Sequence, residues 1–573
     1  MPENQLHRSR RELFLHDAFL ITTMGALAAC GLIYEYLMAH YAGRVLGSLE
    51  STIYTMIGIM IVSMGVGAFL AKWIRAPFKG FIWLELAIGF IGASAVFVIS
   101  IMVALAFSMP TYLQEIYGLH HSITTDGGVV KALTSVTRII PFVAGAVLGL
   151  MIGMEIPLIA RIREQLHGQH LEHNIGTIYG ADYIGAGIGA AIWVLICLKM
   201  PIVYAALSTA IVNVLIGMAF LLRYRTYLNG VVTLWITHLL LVALICALAI
   251  GGISWMQNIQ STLFKDQVIY TKTTPYQHLT ITERLIGKGL PKITSLYING
   301  RLQFASNDEV IYHSFLTYPA LLASARRENI LVIGGGDGLA LRDILHWNPK
   351  SVTLIDLDPD MISLFAGKDP LVPEQLNKTL LELNENSFND ARVKLIYGDA
   401  FIEVEKLVSE QQHFDTIIVD LPDPSHPDIN KVYSEFFYAR LKELLSADGA
   451  IAIQSTSPFH TRDAFISIGK TLTEAGFTTE QYHTNVPTFG EWGWTIGTLQ
   501  GASASTRIRH FKDLPVASRW ISKQQILAAF IFSPHYFDGS EQINSNRLGS
   551  HQLYQYHQTA WKQRDGVFFI DSK

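Results

Sequence analysis

The chain has 573 residues, half of them hydrophobic and only 16% charged, with a mean hydropathy of +0.30 and a formal net charge of −4. Such a length exceeds one ordinary domain, and such a hydropathy is high for a soluble protein. The small charge and the lack of a Lys/Arg-rich run with interleaved aromatic residues give no indication of a nucleic-acid partner. The cysteines are Cys30, Cys197 and Cys246, which excludes a disulfide framework or a cysteine metal site in the C-terminal half.

Apolar stretches of about 20 residues, the length that crosses a bilayer, recur through the first half of the chain. Charged residues and alternating patterns return from about residue 254. The sequence therefore predicts a multi-pass α-helical membrane domain over residues 1–253. Its seven predicted spans lie near 17–41, 52–72, 81–107, 137–160, 177–198, 202–222 and 231–252.

Basic residues are clustered between these predicted spans. The clusters are His7/Arg8/Arg10/Arg11, Lys72/Arg75/Lys79, Arg161/Arg163 and Arg223/Arg225. All four fall on the cytoplasmic side if the N-terminus is cytoplasmic, as the positive-inside rule prefers. Seven crossings then place the C-terminal half on the other side. A span missed or invented in the doubtful stretch 108–136 would reverse this, and if the count is right the membrane half would pass ligand or product across.

Small and acidic residues within the spans have two interpretations each. Gly185 and Gly189 are four residues apart, a spacing that lets two membrane helices approach each other closely. Helix packing is therefore one interpretation of the two glycines, and a role in binding a ligand is the other. The acids Glu35, Glu155 and Asp182 are costly at membrane depth. They either lie near the interface or pair with basic residues, or they line a cation-binding cavity that would suit a polyamine.

The C-terminal half begins with alternating segments at 267–285 and 293–304, which predict a small β-sheet subdomain over 254–310. The period of residues 307–325 predicts a helix. Strands and helices then alternate, which predicts a parallel, doubly wound, Rossmann-like core over 311–501 with its ligands at the carboxyl ends of the strands. Residues 502–573 are interpreted as a cap on the cleft.

A glycine-rich turn follows the first strand of the predicted core. The sequence LVIGGGDG places Gly334–Gly338 between a strand and a helix, and Asp356 follows 22 residues after Gly334, at a position that commonly binds ribose hydroxyls. The turn lacks the GxGxxG spacing and contains an acid, which disfavours a pyrophosphate and hence NAD. It also lacks a P-loop lysine. Adenosyl compounds without phosphate remain, and Asp399 could accept a hydrogen bond from their adenine amino group.

Asp337 within this turn narrows the ligand further. It would repel the carboxylate of S-adenosylmethionine but attract the decarboxylated form, which carries a sulfonium and a free ammonium. The other acids expected around the cleft are Asp308, Asp356, Asp399, Asp420 and Asp423. Each alone could be an ordinary helix cap or turn residue, but together they predict a site for cationic ligands.

Asp420 and Asp423 lie three residues apart after the fourth predicted strand, in DLPDP. A metal site and a plain solvent turn are two possible explanations, and the sequence offers no companion ligands for a metal. The preferred hypothesis is that Asp420 accepts a proton from an attacking amine while Asp423 anchors that amine. Sulfonium is already a good leaving group, so in-line positioning supplies most of the remaining catalysis, without a metal or cofactor.

These motifs together resemble the polyamine aminopropyltransferases, or spermidine synthases. The similar segments, in order over about 262–570, are TPYQHL (274–279), INGRLQFASNDEVIYH (298–313), VIGGGDG (332–338), LIDLDPDMI (354–362), YGDA (397–400), VDLPDPSHP (419–427) and VPTFGEWGW (486–494). The apolar half resembles the multi-spanning region fused to some bacterial members, and residues 31–48 fit that type. The resemblance implies a methyltransferase-like fold and a bacterial inner-membrane location, and by analogy dimerisation.

The resemblance also implies roles for individual residues. Those implied to line the nucleoside pocket are Gln277, Asp356, Asp399, Ala400 and Pro427. Asp337 would hold the aminopropyl ammonium, Asp420 would be the catalytic acceptor, and the implied polyamine contacts are Tyr312, His313 and Asp423. The chain differs from the family pattern at three places, all at the end of the site that would bind the acceptor amine. It has Leu421-Pro422 where the family usually has two small hydroxyl residues, Ser314 where a Glu is common, and Phe489 where the family has a Tyr.

The leading hypothesis is that putrescine and decarboxylated S-adenosylmethionine give spermidine and methylthioadenosine. One alternative is an S-adenosylmethionine methyltransferase, against which Asp337 argues. The other is a polyamine transporter or sensor whose C-terminal half only binds its ligand. The acceptor amine is the least constrained part of the prediction, because all three departures from the family lie at that end.

Overall fold

A computed structural model of the chain describes residues 10–46, 49–116, 128–168, 173–264, 266–287, 291–499, 501–516, 518 and 520–562. It divides into two compact units, Met1–Arg284 and Leu285–Lys573. The domain boundaries at 253, 310 and 501 stay predictions. Parts of the basic cluster at 7–11, of the segment 31–48, of the doubtful stretch 108–136 and of the C-terminal cap lie outside the described residues.

The first unit contains, in its described part, seven helices that are long and apolar enough to cross a membrane. Seven apolar helices are thereby found at the predicted positions, and their crossing of a membrane stays a prediction. The helices are α1 (Arg10–Leu46), α2 (Leu49–Leu70), α3 (Pro77–Ile116), α4 (Gly128–His167), α5 (Asn174–Leu195), α6 (Ile202–Tyr224) and α7 (Val231–Phe264). The last of these continues 12 residues past the predicted span end at 252.

The predicted small-residue packing motif lies where α5 crosses α1. A methyl group added to Gly185 would lie 2.7 Å from the Cα atom of Gly25, and one added to Gly189 would lie 2.8 Å from the Cα atom of Ala29. These distances are too short for real carbon contacts, so both positions require glycine for the two backbones to approach. Helix packing is therefore the interpretation that the structure supports.

Helix ends that carry basic residues meet at one end of the helix bundle. Arg163 at the end of α4 donates to Asp17 near the start of α1 at 2.8 Å. Arg161 donates to the carbonyl of Ala71 just after α2 at 3.1 Å. His16 of α1 lies 3.2 Å from the hydroxyl of Tyr224, the last residue of α6. The clusters predicted to share one side therefore share one end, as far as they are described.

The short strands predicted at 267–304 are present. In the first unit β1 (Gln267–Thr273) pairs antiparallel with β2 (His278–Arg284). In the second unit β3 (Ile293–Ile298) pairs antiparallel with β4 (Arg301–Ala305). Alternation of buried and exposed residues produced this prediction, since successive side chains of a strand point to opposite faces.

A seven-stranded sheet forms the centre of the second unit, in the order β10-β11-β9-β8-β5-β6-β7. Its strands are β5 (Asn329–Gly334), β6 (Ser351–Asp356), β7 (Val393–Tyr397), β8 (Phe414–Asp420), β9 (Leu445–Gln454), β10 (Thr478–Val486) and β11 (Gly490–Thr498). The five strands from β5 to β9 are parallel, as predicted. Most residues of β5, β6, β8 and β9 are buried, as is typical of parallel strands covered on both faces, whereas the residues of the edge strand β7 are half-buried or exposed.

Ten helices complete the described part of the second unit. They are α8 (Glu309–Ala323), α9 (Leu339–Leu345), α10 (Pro359–Phe365), α11 (Glu374–Leu383), α12 (Ala400–Ser409), α13 (Glu435–Leu444), α14 (Arg462–Glu474), α15 (Ala504–Arg509), α16 (Lys523–Ala528) and α17 (Gln552–Lys562). The helix predicted at 307–325 is α8. From the C-terminal segment, Leu553 of α17 is fully buried in the same core as the strands.

One edge of the sheet differs from the predicted all-parallel arrangement. β10 and β11 form an antiparallel hairpin, and β11 also pairs antiparallel with β9. Only three residues separate β10 from β11, and so short a connection can join antiparallel strands but not parallel ones. The sheet is therefore mixed, and the hairpin carries the segment 486–494 that the resemblance singled out.

Candidate active site

The carboxyl ends of the central parallel strands bring the predicted acids together. Gly334, the last residue of β5, is in register with Asp420, the last residue of β8. Asp356 ends β6, on the other side of β5. Ligands bind such sheets at this edge, because the loops that follow the strands diverge there. Two predicted acids are thereby placed on either side of the glycine-rich turn.

The turn after β5 needs glycine for two separate reasons. Gly334, Gly335 and Gly338 have φ values of 81°, 71° and 77°, a left-handed conformation that side chains disfavour. A methyl group on Gly334 would also lie 2.9 Å from the carbonyl carbon of Asp420. The chain thus turns tightly against the end of β8, and the amide of Gly335 donates to the carbonyl of Asp420 at 3.2 Å.

Asp337 lies half-buried inside this turn. Its Oδ1 accepts from the amide of Leu339 at 3.0 Å, and its carbonyl accepts from Asn384 at 3.2 Å. Burial raises the pKa of the Asp337 carboxyl, while the nearby His313 opposes that rise. Asp337 therefore makes the local contact of an ordinary turn residue through Oδ1, while its Oδ2 has no hydrogen-bond partner among the described residues.

Asp356 is the second acid of the cluster. Its Oδ1 accepts from the amide of Asp358 at 2.8 Å, and a methyl group on Gly336 would lie 2.8 Å from its Oδ2. Burial, together with the charges of Asp358, Asp337 and Asp420, raises the pKa of Asp356 to about 7. The glycine-rich turn therefore passes directly beside this carboxyl group.

Asp420 is bound by a buried tyrosine. The hydroxyl of Tyr312, on α8, donates to Oδ1 of Asp420 at 2.8 Å. Burial raises the pKa of Asp420 to about 6, with Asp337 adding to the rise and with His313 and the tyrosine hydroxyl opposing it. A carboxylate with such a pKa is mostly ionised at neutral pH, yet more basic than an exposed aspartate, which suits a proton acceptor.

His313 provides positive charge among these acids. Its Nδ1 lies 2.9 Å from both the carbonyl and Oε2 of Glu309, one helical turn earlier on α8. Burial would lower the pKa of His313, but Glu309, Asp337 and Asp420 together raise it to about 9. Arg342 donates to Oε1 and Oε2 of Glu309 at 2.8 and 3.1 Å, which fixes the carboxylate from its other side.

Asp423 is held by two residues that the sequence did not indicate. Gln454, which ends β9, donates to its Oδ1 at 2.9 Å. Nε2 of the buried His557, on α17, lies 3.6 Å from its Oδ2. Burial would raise the pKa of Asp423, but His557, Gln454 and Arg301 outweigh burial and lower it. Asp423 therefore stays ionised more readily than Asp420.

Asp399 does not end a strand, because β7 stops at Tyr397; it caps α12 instead. Its Oδ1 accepts from the amide of Phe401 at 3.0 Å, and its Oδ2 accepts from Lys431 at 2.5 Å. Ala400 is the first residue of α12, and Pro427 begins a 3-10 helix that also contains Lys431. The three predicted nucleoside contacts thus lie on neighbouring elements, with a lysine that the sequence did not single out.

Gln277 belongs to the first compact unit. Its carbonyl accepts from the amide of Thr274 at 2.9 Å, and its amide donates to the Thr274 hydroxyl at 3.0 Å, in the turn between β1 and β2. Its predicted contact with a nucleoside stays a prediction.

Aromatic rings surround the tyrosine that binds Asp420. The ring of Tyr312 lies 5.6 Å from that of Trp494, 6.3 Å from Phe489 and 6.4 Å from Trp492, between ring centroids. Such rings exclude water and attract cations through their faces. Phe489 is one of the three departures from the family pattern. At another, the carbonyls of Leu421 and Pro422 accept from the Tyr433 hydroxyl at 3.4 and 3.1 Å. At the remaining one, the hydroxyl of Ser314 donates to the buried Asp343 at 3.4 Å.

Sequence signals for the missed residues differ in strength. Glu309 precedes His313 by four residues, a spacing that brings the two together on a helix, so this pair was detectable. Gln454 and Lys431 are close to predicted motifs but carry no pattern of their own. His557 lies 134 residues beyond Asp423, and no local feature marks it. Among the described residues, no group of three or more His, Cys, Asp or Glu is arranged to hold a metal ion.

Comparisons with known proteins found a family model, relatives and a solved structure to which this chain is similar. Residues 309–508 match the family model described as the spermine/spermidine synthase domain. A polyamine aminopropyltransferase of Shewanella oneidensis is 50% identical over 571 residues, covering 99% of this chain and 100% of the relative. A polyamine aminopropyltransferase of Leptospira interrogans is 30% identical over 550 residues, covering 94% of this chain and 97% of the relative. A crystal structure of a spermidine synthase in complex with the transition-state analogue AdoDATO covers 48% of this chain and 88% of its own, with 20% identity and a TM-score of 0.41.

Proposed function

Because the chain belongs to the polyamine aminopropyltransferase family, we propose that its substrates are decarboxylated S-adenosylmethionine and putrescine, and its products spermidine and 5′-methylthioadenosine. The single observation that carries the choice of donor is the buried acid cluster around the glycine-rich turn. Asp337, Asp356 and Asp420 influence one another electrostatically. A donor with an ammonium in place of a carboxylate lowers the repulsion within that cluster, whereas S-adenosylmethionine itself would add to it.

In the proposed reaction the neutral amine of putrescine attacks the aminopropyl carbon next to the sulfonium. A carbon–nitrogen bond forms, the carbon–sulfur bond breaks, and its electron pair remains on the sulfur of methylthioadenosine. The attacking nitrogen passes its extra proton to Asp420. Tyr312 orients this carboxylate, and the aromatic rings around it exclude water, which would otherwise keep the amine protonated.

The donor assignment has a direct test. The full chain in lipid nanodiscs is incubated with putrescine and either decarboxylated S-adenosylmethionine or S-adenosylmethionine. The thioether that each donor would leave after transfer is then quantified, together with the amine products. We expect methylthioadenosine and spermidine from the decarboxylated donor, and no methylated amine from the other. Methyl transfer without aminopropyl transfer would overturn the proposal in favour of a methyltransferase.

Tyr312→Phe should make activity more sensitive to acid. The hydroxyl stabilises the ionised form of Asp420, whose pKa is about 6, so its removal should raise that pKa. Since the ionised carboxylate is the active form, activity is lost as pH falls through its pKa. The acid limb of the kcat/KM profile should therefore move upward from near pH 6 by about one pH unit. Tyr438→Phe, which removes another buried hydroxyl, is the matched control and should leave that limb unchanged.

We propose that His557 is a positioning residue for the acceptor amine, acting through Asp423. His557→Ala should raise the KM for putrescine about ten-fold, equivalent to one charge-assisted hydrogen bond, and leave kcat nearly unchanged. His557→Gln retains a donor and should restore most of the affinity. Steady-state kinetics would measure KM and kcat, with putrescine and with spermidine as the acceptor. A parallel fall in kcat, with KM unaltered, would contradict the positioning role.

A transporter or sensor is the alternative from another class. Asp420→Asn separates the two functions, because it should lower product formation about 10³-fold but leave ligand binding and any transport intact. By analogy with the family we also propose a homodimer, which light scattering in detergent would detect.

We propose that the chain is a multi-pass protein of the bacterial inner membrane, with the basic end of its helix bundle in the cytoplasm. α7 starts near that end, so the chain should leave the bundle on the opposite side. A compartment-specific reporter after residue 573 should then be active outside the cytoplasm. Activity of the reporter only inside the cytoplasm would contradict the charge-based orientation.

A further inference from the structure

Five polar side chains from five helices are buried in the bundle of the first unit. They are Tyr34 of α1, Glu85 of α3, Glu155 of α4, Asn213 of α6 and His238 of α7, and none is more than 1% exposed. The hydropathy of the spans indicated only Glu155 among them. Burial of two carboxyl groups at such a depth is costly unless something neutralises them.

These side chains lie near one another. Asn213 donates to Oε2 of Glu85 at 2.9 Å. The position that a methyl group on Gly217 would occupy is 2.8 Å from Nε2 of His238 and 3.5 Å from Cβ of Glu85, so the imidazole faces the glutamate. Glu155 interacts electrostatically with Glu85, and Tyr34 interacts with both glutamates. The five residues therefore form one polar cluster, which we name the bundle cluster.

The bundle cluster has hydrogen-bond acceptors without donors. Among the described residues, no partner is found for Oε1 of Glu85, Oε2 of Glu155, Oδ1 of Asn213, Nε2 of His238 or the hydroxyl of Tyr34. Nδ1 of His238 lies 2.6 Å from the carbonyl of Leu234 and must carry the proton, which leaves Nε2 as an acceptor. Four of the five unsatisfied atoms can thus only accept, if the glutamates are ionised.

A further feature strengthens this imbalance. Neither glutamate has a lysine or arginine among its described electrostatic neighbours. Buried polar groups in folded proteins almost always have partners, and a partner that brings both donors and positive charge would satisfy these acceptors.

We propose that the bundle cluster binds a primary ammonium group, as carried by a polyamine, within the membrane-spanning unit. The cationic class follows from the acceptors alone, whereas the choice of a polyamine rests on the proposed function. An ammonium offers three N–H donors and one positive charge, which matches two carboxylates and the adjacent neutral acceptors. Glu85 and Glu155 provide the charge, and Asn213, His238 and Tyr34 complete the hydrogen bonds.

The test uses the apolar reagent dicyclohexylcarbodiimide, which modifies carboxyl groups within the bilayer. The full chain in lipid nanodiscs is treated with the reagent, and adducts at individual glutamates are quantified by peptide mass spectrometry. Spermidine at about ten times its dissociation constant should slow modification of Glu85 and Glu155 about ten-fold, by simple occupancy. Modification of Glu35, a buried glutamate outside the cluster, should be unchanged and is the internal control.

Substitutions provide a second measurement. Glu85→Gln should remove one bound [¹⁴C]spermidine per chain and leave aminopropyl transfer, assayed in the same nanodiscs, at the level of the unsubstituted chain. Glu35→Gln is the matched control and should bind as the unsubstituted chain does. If Glu85→Gln does not fold, the protection experiment on the unsubstituted chain still decides.

Several outcomes would overturn the proposal. Equal protection of Glu35 would indicate a general effect of the polyamine, and equal protection of Glu85 and Glu155 by Na⁺ at the same pH would indicate a metal-ion site. Failure of the two proposals can be told apart. If spermidine protects Glu85 and Glu155 but the chain does not transfer an aminopropyl group, the proposed ammonium site stands and the proposed catalytic function fails. If the chain transfers the group but spermidine gives no protection, the catalytic function stands and the ammonium site fails.

Discussion

Asp420→Asn is expected to lower the rate of aminopropyl transfer about 10³-fold, because an amide cannot take up the proton that the attacking amine loses. The substitution keeps the shape of the side chain, and its amide oxygen can still accept from Tyr312. The loss should therefore appear in kcat and not as unfolding. Quantifying methylthioadenosine under substrate saturation measures the effect, with thermal unfolding measured on the same sample.

The control for this substitution is Asp428→Asn. Asp428 lies in the 3-10 helix that follows the site, but its side chain is 82% exposed, so its replacement should leave the rate within two-fold of the unsubstituted chain, about 0.4 kcal/mol. If Asp420→Asn retained a tenth of the activity or more, the proton would have to leave by another route, and Asp423 would be the next candidate.

Asp337→Asn should weaken the selection of the donor. Loss of a half-buried carboxylate that pairs with the donor's ammonium should reduce kcat/KM for decarboxylated S-adenosylmethionine about 100-fold, equivalent to roughly 3 kcal/mol. Binding of S-adenosylmethionine should improve, because the repulsion of its carboxylate is relieved. The ratio of the two dissociation constants, measured by calorimetry, isolates this effect from any general damage to the turn.

Asn at this position can still accept from the amide of Leu339, so the turn should keep its conformation. Asp463→Asn is a suitable control, since its side chain is half exposed at the start of α14. Equal losses of affinity for the two donors would mean that Asp337 supports the turn and does not discriminate between them.

Local patterns in the sequence predicted the helices and strands well. A membrane span needs only a sufficiently long apolar run, and the described helices contain seven of them. Buried parallel strands are short apolar runs, and all five were indicated. The antiparallel hairpin β10–β11 was not, because its strands, such as Thr478–Val486, mix polar and aromatic residues and their burial depends on the neighbouring β9.

The acids at the candidate site could be predicted from the sequence, but the basic residues that contact them could not. Asp356 and Asp420 follow directly on apolar strands, so their position at the sheet edge is a local property of the sequence. Lys431 and His557 reach Asp399 and Asp423 only through the folded chain, and no spacing rule links them. The catalytic and binding roles of these acids stay predictions until the substitutions are made.

The membrane half shows where a usable signal was overlooked. Glu85 interrupts the apolar run FIWLELAIGF just as Glu155 interrupts its own span, yet only the second was singled out. Asn213 and His238 have less effect on hydropathy and are harder to detect. Their association depends on how α3, α6 and α7 face one another, which the sequence of each helix does not specify.

The contact between His557 and Asp423 limits how far the catalytic unit can be shortened for reuse in another protein. A fragment ending at residue 508 would retain the whole segment that matches the family model, and would look complete by that measure. It would nevertheless lack α17, including the fully buried Leu553 and the imidazole beside Asp423. A portable version of this enzyme should therefore extend at least to Lys562, where α17 ends.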